Sequence, residues 1–439
     1  MIPSTIGQGV EERAAAGKMM TSRERVRKAL NHETPDRVPV DLGGSGVTGI
    51  AASTLAHLRD SLGLERRPVM VWEPFQMLGD VEFDVVEALG VDVIGVEKLM
   101  TSFGFPNVNW RPWRFHGLDV LVSEHFVTTE NEAGDILIHP QGDRNAAPSG
   151  RMPRGGFYFD AIVRQEPIDW SNLDPEAWVG SRFAVYPDAY LEYVRRQVDD
   201  LYRNTTLSLG GAVFGGGLGD IAAVPAAGSK HPNGICDPGD WYMAHAAAPG
   251  FIKSINGIQC EIALQNLELY RQAVGDKIDV IGIGGTDFGT QRGPIMSLRM
   301  FRELYKPYFR RMNDWVHANT GWKTFLHSCG SVVTFIDDFI DMGIDILNPV
   351  QTSADGMDMV TLKEKYGDRL VFWGGGVDTQ HVLPFGTPDE VREDVRRRLE
   401  VFSRGGGFVF ATIHNIQHGV PPENVAAMFE TVRQFRGTA

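Results

Sequence analysis

Cysteine is scarce in this 439-residue chain, whose thiols are Cys236, Cys260 and Cys329. Three scattered thiols cannot frame a disulfide scaffold, which points to a reducing compartment and to thiolate chemistry or plain packing. Cys260 sits in a helical apolar pattern and is expected to pack, while Cys236 lies in a Gly/Pro-rich loop. Long hydrophobic runs are missing too. No apolar stretch approaches the roughly 20 residues that span a bilayer, and the first twenty residues lack the apolar centre of a secretory signal. Basic residues are in deficit, 42 Lys and Arg against 56 Asp and Glu, for a formal charge of -14 with no basic stripe. Nonspecific attraction to phosphate is thereby disfavoured. The expectation is a cytoplasmic protein with no nucleic-acid and no membrane partner; whether it forms a homo-oligomer stays open. With 43% hydrophobic residues the chain can bury a large core, as one big α/β domain or two or three small ones.

What is present begins with His327-Ser328-Cys329, which closes the apolar run Trp322-Lys323-Thr324-Phe325-Leu326 and precedes Gly330. Positions two apart on an extended segment face the same side, so one ion can meet both the imidazole and the thiol. Nitrogen and sulfur donors together suit Zn²⁺, and three protein ligands would leave a coordination position for substrate. The competing reading is a packed cysteine beside a hydrogen-bonded histidine. A third ligand is needed to separate them.

Residues 1–20 are polar and aperiodic and read as a flexible extension. A capping box at Thr21-Ser22-Arg23-Glu24, followed by Val26, Ala29 and Leu30 at helical spacing, starts a helix. Strands are expected at Val38-Pro39-Val40-Asp41-Leu42 and Val91-Asp92-Val93-Ile94-Gly95-Val96, then near 205–213, 278–284, 322–328, 344–347, 369–373 and 407–411. Helical patterns such as 297–319 and 387–402 alternate with them. An antiparallel β meander is expected as an insertion at about 117–167, with strands at 120–122, 126–129 and 136–138. Eight βα units predict a single (β/α)₈ TIM barrel over 21–439, in which reactive groups gather at the C-terminal strand ends. The open doubly wound alternative lacks a Gly-x-Gly-x-x-Gly turn after the first strand.

Those strand ends nominate the site. Asp287 and Asp378 are the candidate catalytic carboxylates; Asp41, Asn348, Gln351 and Gly375 are candidates for binding substrate. Each also fits a turn or cap, and the glycine run 374–376 suits an anion or a tight turn equally. His414, after the last strand, opens onto the same mouth and is the candidate third ligand beside His327 and Cys329.

From about Ser22 onward the chain resembles the uroporphyrinogen decarboxylase superfamily, and within it the zinc-dependent methyltransferases that work with corrinoid proteins. The residues that carry the likeness are His327-Ser328-Cys329-Gly330, Gly374-Gly375-Gly376-Val377-Asp378, and Gly405-Gly406-Gly407-Phe408 through His414 to Pro421-Pro422-Glu423-Asn424. The resemblance implies zinc held by a His-x-Cys pair and a later cysteine, where this chain offers His414. It also implies cobalamin carried on a separate corrinoid protein, since no Asp-x-His-x-x-Gly motif is present. The true decarboxylases are matched less well at 36–43 and 96–99, where their Arg-rich segment and Asp have no counterpart. The expected activity is methyl transfer from a small O-methylated donor to the corrinoid, or from methyl-corrinoid to a thiol acceptor. A metal-independent decarboxylase or lyase is the alternative.

Overall fold

The computed structural model describes residues 20–436 except Glu97, so the extension expected at 1–20 lies, apart from Met20, outside the described residues. Thr21 caps the helix Ser22–Leu30 in the expected capping box with Glu24. Seven parallel strands follow in spatial sequence: Val93–Gly95, Ser208–Ala212, Val280–Gly284, Lys323–His327, Ile346–Asn348, Val371–Trp373 and Phe408–Val409. The segment around Val40 joins the two ends of this curled sheet. Val40 bridges Phe410 in parallel, Asp41 N–H donates to Phe410 C=O at 2.8 Å, and Asp92 N–H donates to Val40 C=O at 2.8 Å. The architecture is the α/β, TIM-barrel-like fold expected. The first stave is a single bridge rather than a strand, because Pro39 has no N–H to give the ladder.

The barrel interior is packed by Val93, Val280, Phe325, Ile346, Val371, Trp373, Val409 and Ala411, and Val26, Ala29 and Leu30 of the first helix plug its lower end. No described helix is long and apolar enough to cross a membrane.

Two local expectations need correction. The helix expected over 297–319 is two, Leu298–Leu304 and Lys306–Asn319, broken at Tyr305. Pro307 lacks the N–H that would continue the first helix. In the insertion, Thr128–Glu130, Ile136–Ile138, Gly150–Met152 and Asp160–Ala161 form the antiparallel meander. Leu118–Val122 does not belong to it; that strand pairs antiparallel with Arg111–Phe115 and parallel with Val69–Glu73. His116 and Gly117, both at positive φ, form the tight turn of that first hairpin. Its charged and proline-containing partner strand hid the pairing from a reading of hydrophobic alternation.

Candidate metal centre and adjoining cavity

His327 is the last residue of its strand and Cys329 lies just beyond it, both on the barrel-facing side as the period of two requires. His327 Nε2 lies 3.4 Å from Cys329 Sγ. His414 comes from the loop after Phe408–Val409, and its ring centroid is 5.3 Å from that of His327. One ligand atom from each of the three lies within 4.8 Å of the others.

The surroundings hold these donors in place. Asn348, ending the neighbouring strand, accepts from His327 Nδ1 through Oδ1 at 2.6 Å if that nitrogen carries the proton, which leaves the Nε2 lone pair toward Cys329. Asn348 Nδ2 in turn donates to Trp373 C=O at 2.9 Å. Asp287 accepts the Cys329 N–H at 2.7 Å and stands 3.9 Å from His327 Nε2. Gln351 accepts the Gly330 N–H at 2.8 Å, and Ser328 accepts the Phe288 N–H at 3.0 Å. Gly330 is required: its φ is +87°, and a Cβ there would come within 2.5 Å of the Gly289 backbone. The His414 loop is tied across the mouth by Asn415, which accepts the Gly49 N–H at 2.6 Å and donates to Gly46 C=O at 2.8 Å.

Burial sets the charge state of the cluster. It pushes the His414 imidazole down to about 4, with neighbouring His327 adding to the effect, and it lowers His327 as well. Both rings are thus neutral and able to donate lone pairs near pH 7. The Cys329 thiol is pushed up by burial and by Asp287. A divalent cation among the three donors would favour the thiolate.

Beside the cluster a cavity of about 380 Å³ descends into the barrel. His327, Asp41, Phe325 and Trp373 line it, together with Gly210 and Gly282. A Cβ on Gly210 would meet nothing nearer than Gly44 O at 4.0 Å. TIM barrels are ordinarily filled by layers of side chains, and the missing side chains on the strands Ser208–Ala212 and Val280–Gly284 leave this one hollow on one flank. Asp41 is buried in its wall, accepting from Trp373 Nε1 at 2.8 Å and Gly44 N–H at 2.9 Å. Burial pushes its carboxyl up to about 6 despite those donors.

The structure therefore brings His327, Cys329, His414, Asp287, Asn348, Gln351 and Asp41 to one end of the barrel. Asp378 and Gly375 do different work. The Asp378 carboxylate accepts the backbone N–H groups of Gln380 and His381 at 2.8 and 2.9 Å, the turn-capping role. Gly375 sits at φ +79° with its C=O bonded by Arg398 at 3.1 Å, and does not line the cavity. It serves the tight turn rather than an anion. Asp220, Phe183, Phe325 and Trp373 line the cavity without having been singled out. Asp220 ends the glycine-rich stretch after the strand near 205–213, so the same strand-end rule applied there finds it. Among the aromatic residues, Trp241 is fully buried and stacked on Trp178 at 4.9 Å.

Residues 258–435, which contain all three cluster residues, match the uroporphyrinogen decarboxylase family model. The uroporphyrinogen decarboxylase of Methylococcus capsulatus is 31% identical over 101 residues, 23% of this chain and 27% of that protein. That of Psychromonas ingrahamii is 30% identical over 101 residues, with the same shares. The chain thus aligns with about a quarter of the length of these curated relatives. A methyltransferase from Methanosarcina mazei shares the fold, with a TM-score of 0.53 and 18% identity over 95% of this chain and 99% of that one.

Proposed function

For a chain whose residues 258–435 carry a uroporphyrinogen decarboxylase family domain, we propose a zinc-dependent methyltransferase. It takes a methyl group from a small O-methylated substrate and passes it to a corrinoid held on a separate protein. Methyl-corrinoid to thiol is the second direction. The observation that carries the reading is the approach of His327, Cys329 and His414 to within 4.8 Å at the head of a cavity. The donor set fits the ion: ligands at Zn–N and Zn–S lengths of about 2.0 and 2.3 Å in a tetrahedron would set N and S about 3.5 Å apart, against 3.4 Å between His327 Nε2 and Cys329 Sγ.

Bound there, zinc would supply a Lewis acid for the oxygen of the methylated substrate. One thiolate and two neutral imidazoles leave such a site with net positive charge, which favours an alkoxide or phenolate leaving group over activation of a thiol. The chain's own residues orient the site: Asn348 sets the tautomer of His327, Asp287 and Gln351 hold the loop that carries Cys329, and Phe325 and Trp373 give the cavity an apolar wall. The Methanosarcina mazei protein of the same fold is itself a methyltransferase.

The second reading, a metal-independent decarboxylase or lyase, draws on the names of the curated relatives. Against it, among the described residues no lysine or arginine lines the cavity to meet a substrate rich in carboxylates. Elemental analysis should find roughly one zinc per chain, lost in His327→Ala, Cys329→Ala and His414→Ala. Mixing the protein with a reduced corrinoid protein and methoxylated compounds should give a methyl-cobalt absorption signal. Release of carbon dioxide or an elimination product by metal-free protein, with no methyl-cobalt signal, would favour the lyase instead; turnover with a thiol but no methyl-cobalt signal would reverse the direction of transfer.

A further inference from the structure

The cavity wall carries two carboxylates, with His327 as its basic group. Among the described residues that line it, Asp41 and Asp220 are the acids and none is a lysine or arginine. Asp220 accepts the Ala222 N–H at 2.9 Å through Oδ1, while its Oδ2 faces Gly285, close to where a Cβ would lie (3.2 Å). Phe183 and Phe214 line the same cavity with ring centroids 5.6 Å apart, and Phe214 is 44% exposed. A half-buried carboxylate and aromatic rings lining one cavity are the chemistry that recognises an ammonium group, through charge and through the ring quadrupole.

We propose that the methoxylated substrate of this cavity is a cation, an amine whose ammonium group is held by Asp220 with the rings of Phe183 and Phe214. This rests on the methyl-transfer reading and narrows its substrate class. Burial holds the Asp220 carboxyl up to about 7. A bound cation would supply the partner that ionisation lacks, whereas an anionic group placed at Asp220 would face a like charge with no lysine or arginine among the described lining residues to offset it.

Three probes of one skeleton separate the cases: 4-methoxybenzylamine, 4-methoxybenzyl alcohol and 4-methoxybenzoate, titrated calorimetrically into the protein at about pH 8, where the amine is charged and Asp220 ionised. The amine is expected to bind about tenfold more tightly than the alcohol, with the benzoate weakest. Asp220→Asn should remove the preference while leaving alcohol binding in place, which also reports that the variant is folded. Phe214→Ala, at an exposed ring, should narrow the preference. An amine that binds no more tightly than the alcohol, including no binding by either, overturns the proposal, as does a preference that survives Asp220→Asn. Repeating the titrations on zinc-loaded and chelator-treated protein keeps the outcomes apart, since zinc content judges the metal reading and the amine preference judges this one.

Discussion

A single amide decides how His327 can act. Asn348 accepts from Nδ1 and donates to Trp373 C=O, linking three adjacent staves. Asn348→Ala should weaken zinc binding about 10- to 100-fold, as loss of the group that orients a metal-bound histidine does, and zinc competition with a chromogenic chelator measures it. Asp220 predicts a pH effect. Its carboxyl, ordinarily at 3.8, is raised to about 7 in the fold, burial being the cause. Between those values the folded chain holds a proton that the unfolded chain has released, so stability falls as pH rises through this window and stays lower above it. Asp220→Asn should therefore melt higher than the parent at pH 8, by an amount on the order of 1–3 kcal/mol, and match it near pH 4. Thermal melts at the two pH values check the sign, and an equal gain at both would show that the carboxyl does not titrate this way.

At the level of the strand, glycine determines what the barrel can hold. Ser208–Ala212 and Val280–Gly284 present Gly210 and Gly282 where a filled barrel would have branched side chains. Gly210 has ordinary backbone geometry and open space before it. Gly210→Val should fill the hollow, leave the melting temperature within a few degrees of the parent, since Gly→X at an unstrained site changes stability by only about 1 kcal/mol, and abolish binding of methoxylated ligands. Retained binding would place the ligand elsewhere on the barrel. The loop beyond His327 is the contrasting case. Gly330 and Gly289 approach backbone to backbone, so the turn that delivers Cys329 has no room for any side chain.

For the molecule as a whole, closure of the barrel depends on one buried acid. Asp92 is fully buried, receives Arg25 at 2.7 Å and Arg37 at 2.6 Å, and accepts the Val40 N–H at 2.9 Å. It thereby ties the plugging helix, the bridging segment at Val40 and the strand Val93–Gly95 together. Asp92→Ala leaves Arg25 with Asp36 at 2.6 Å as its remaining carboxylate and leaves Arg37 facing a desolvated site; it should cost about 3 kcal/mol, seen in urea unfolding, and a loss under about 1 kcal/mol would mean that closure rests on the backbone bridges alone. The eight staves were legible because each is a short apolar run bounded by turn residues, a signal held within a few neighbours. His327 and Cys329 were legible for the same reason, as a period of two within one segment. The proline in 297–319 was visible as well, yet the apolar stripe running past it concealed the break at Tyr305. By itself, then, the sequence determined the alternation of strand and helix, the pairing of an imidazole with a thiol, and the end of the barrel at which the candidate donors collect. Only the tertiary structure decided that His414 reaches that pair, that Asp378 turns away to cap its own loop, and that Asp220 shares a hollow with Asp41. Those outcomes depend on how far apart strand ends lie once the sheet has curled shut, a distance set by twist and stagger across the whole ring rather than by any one segment.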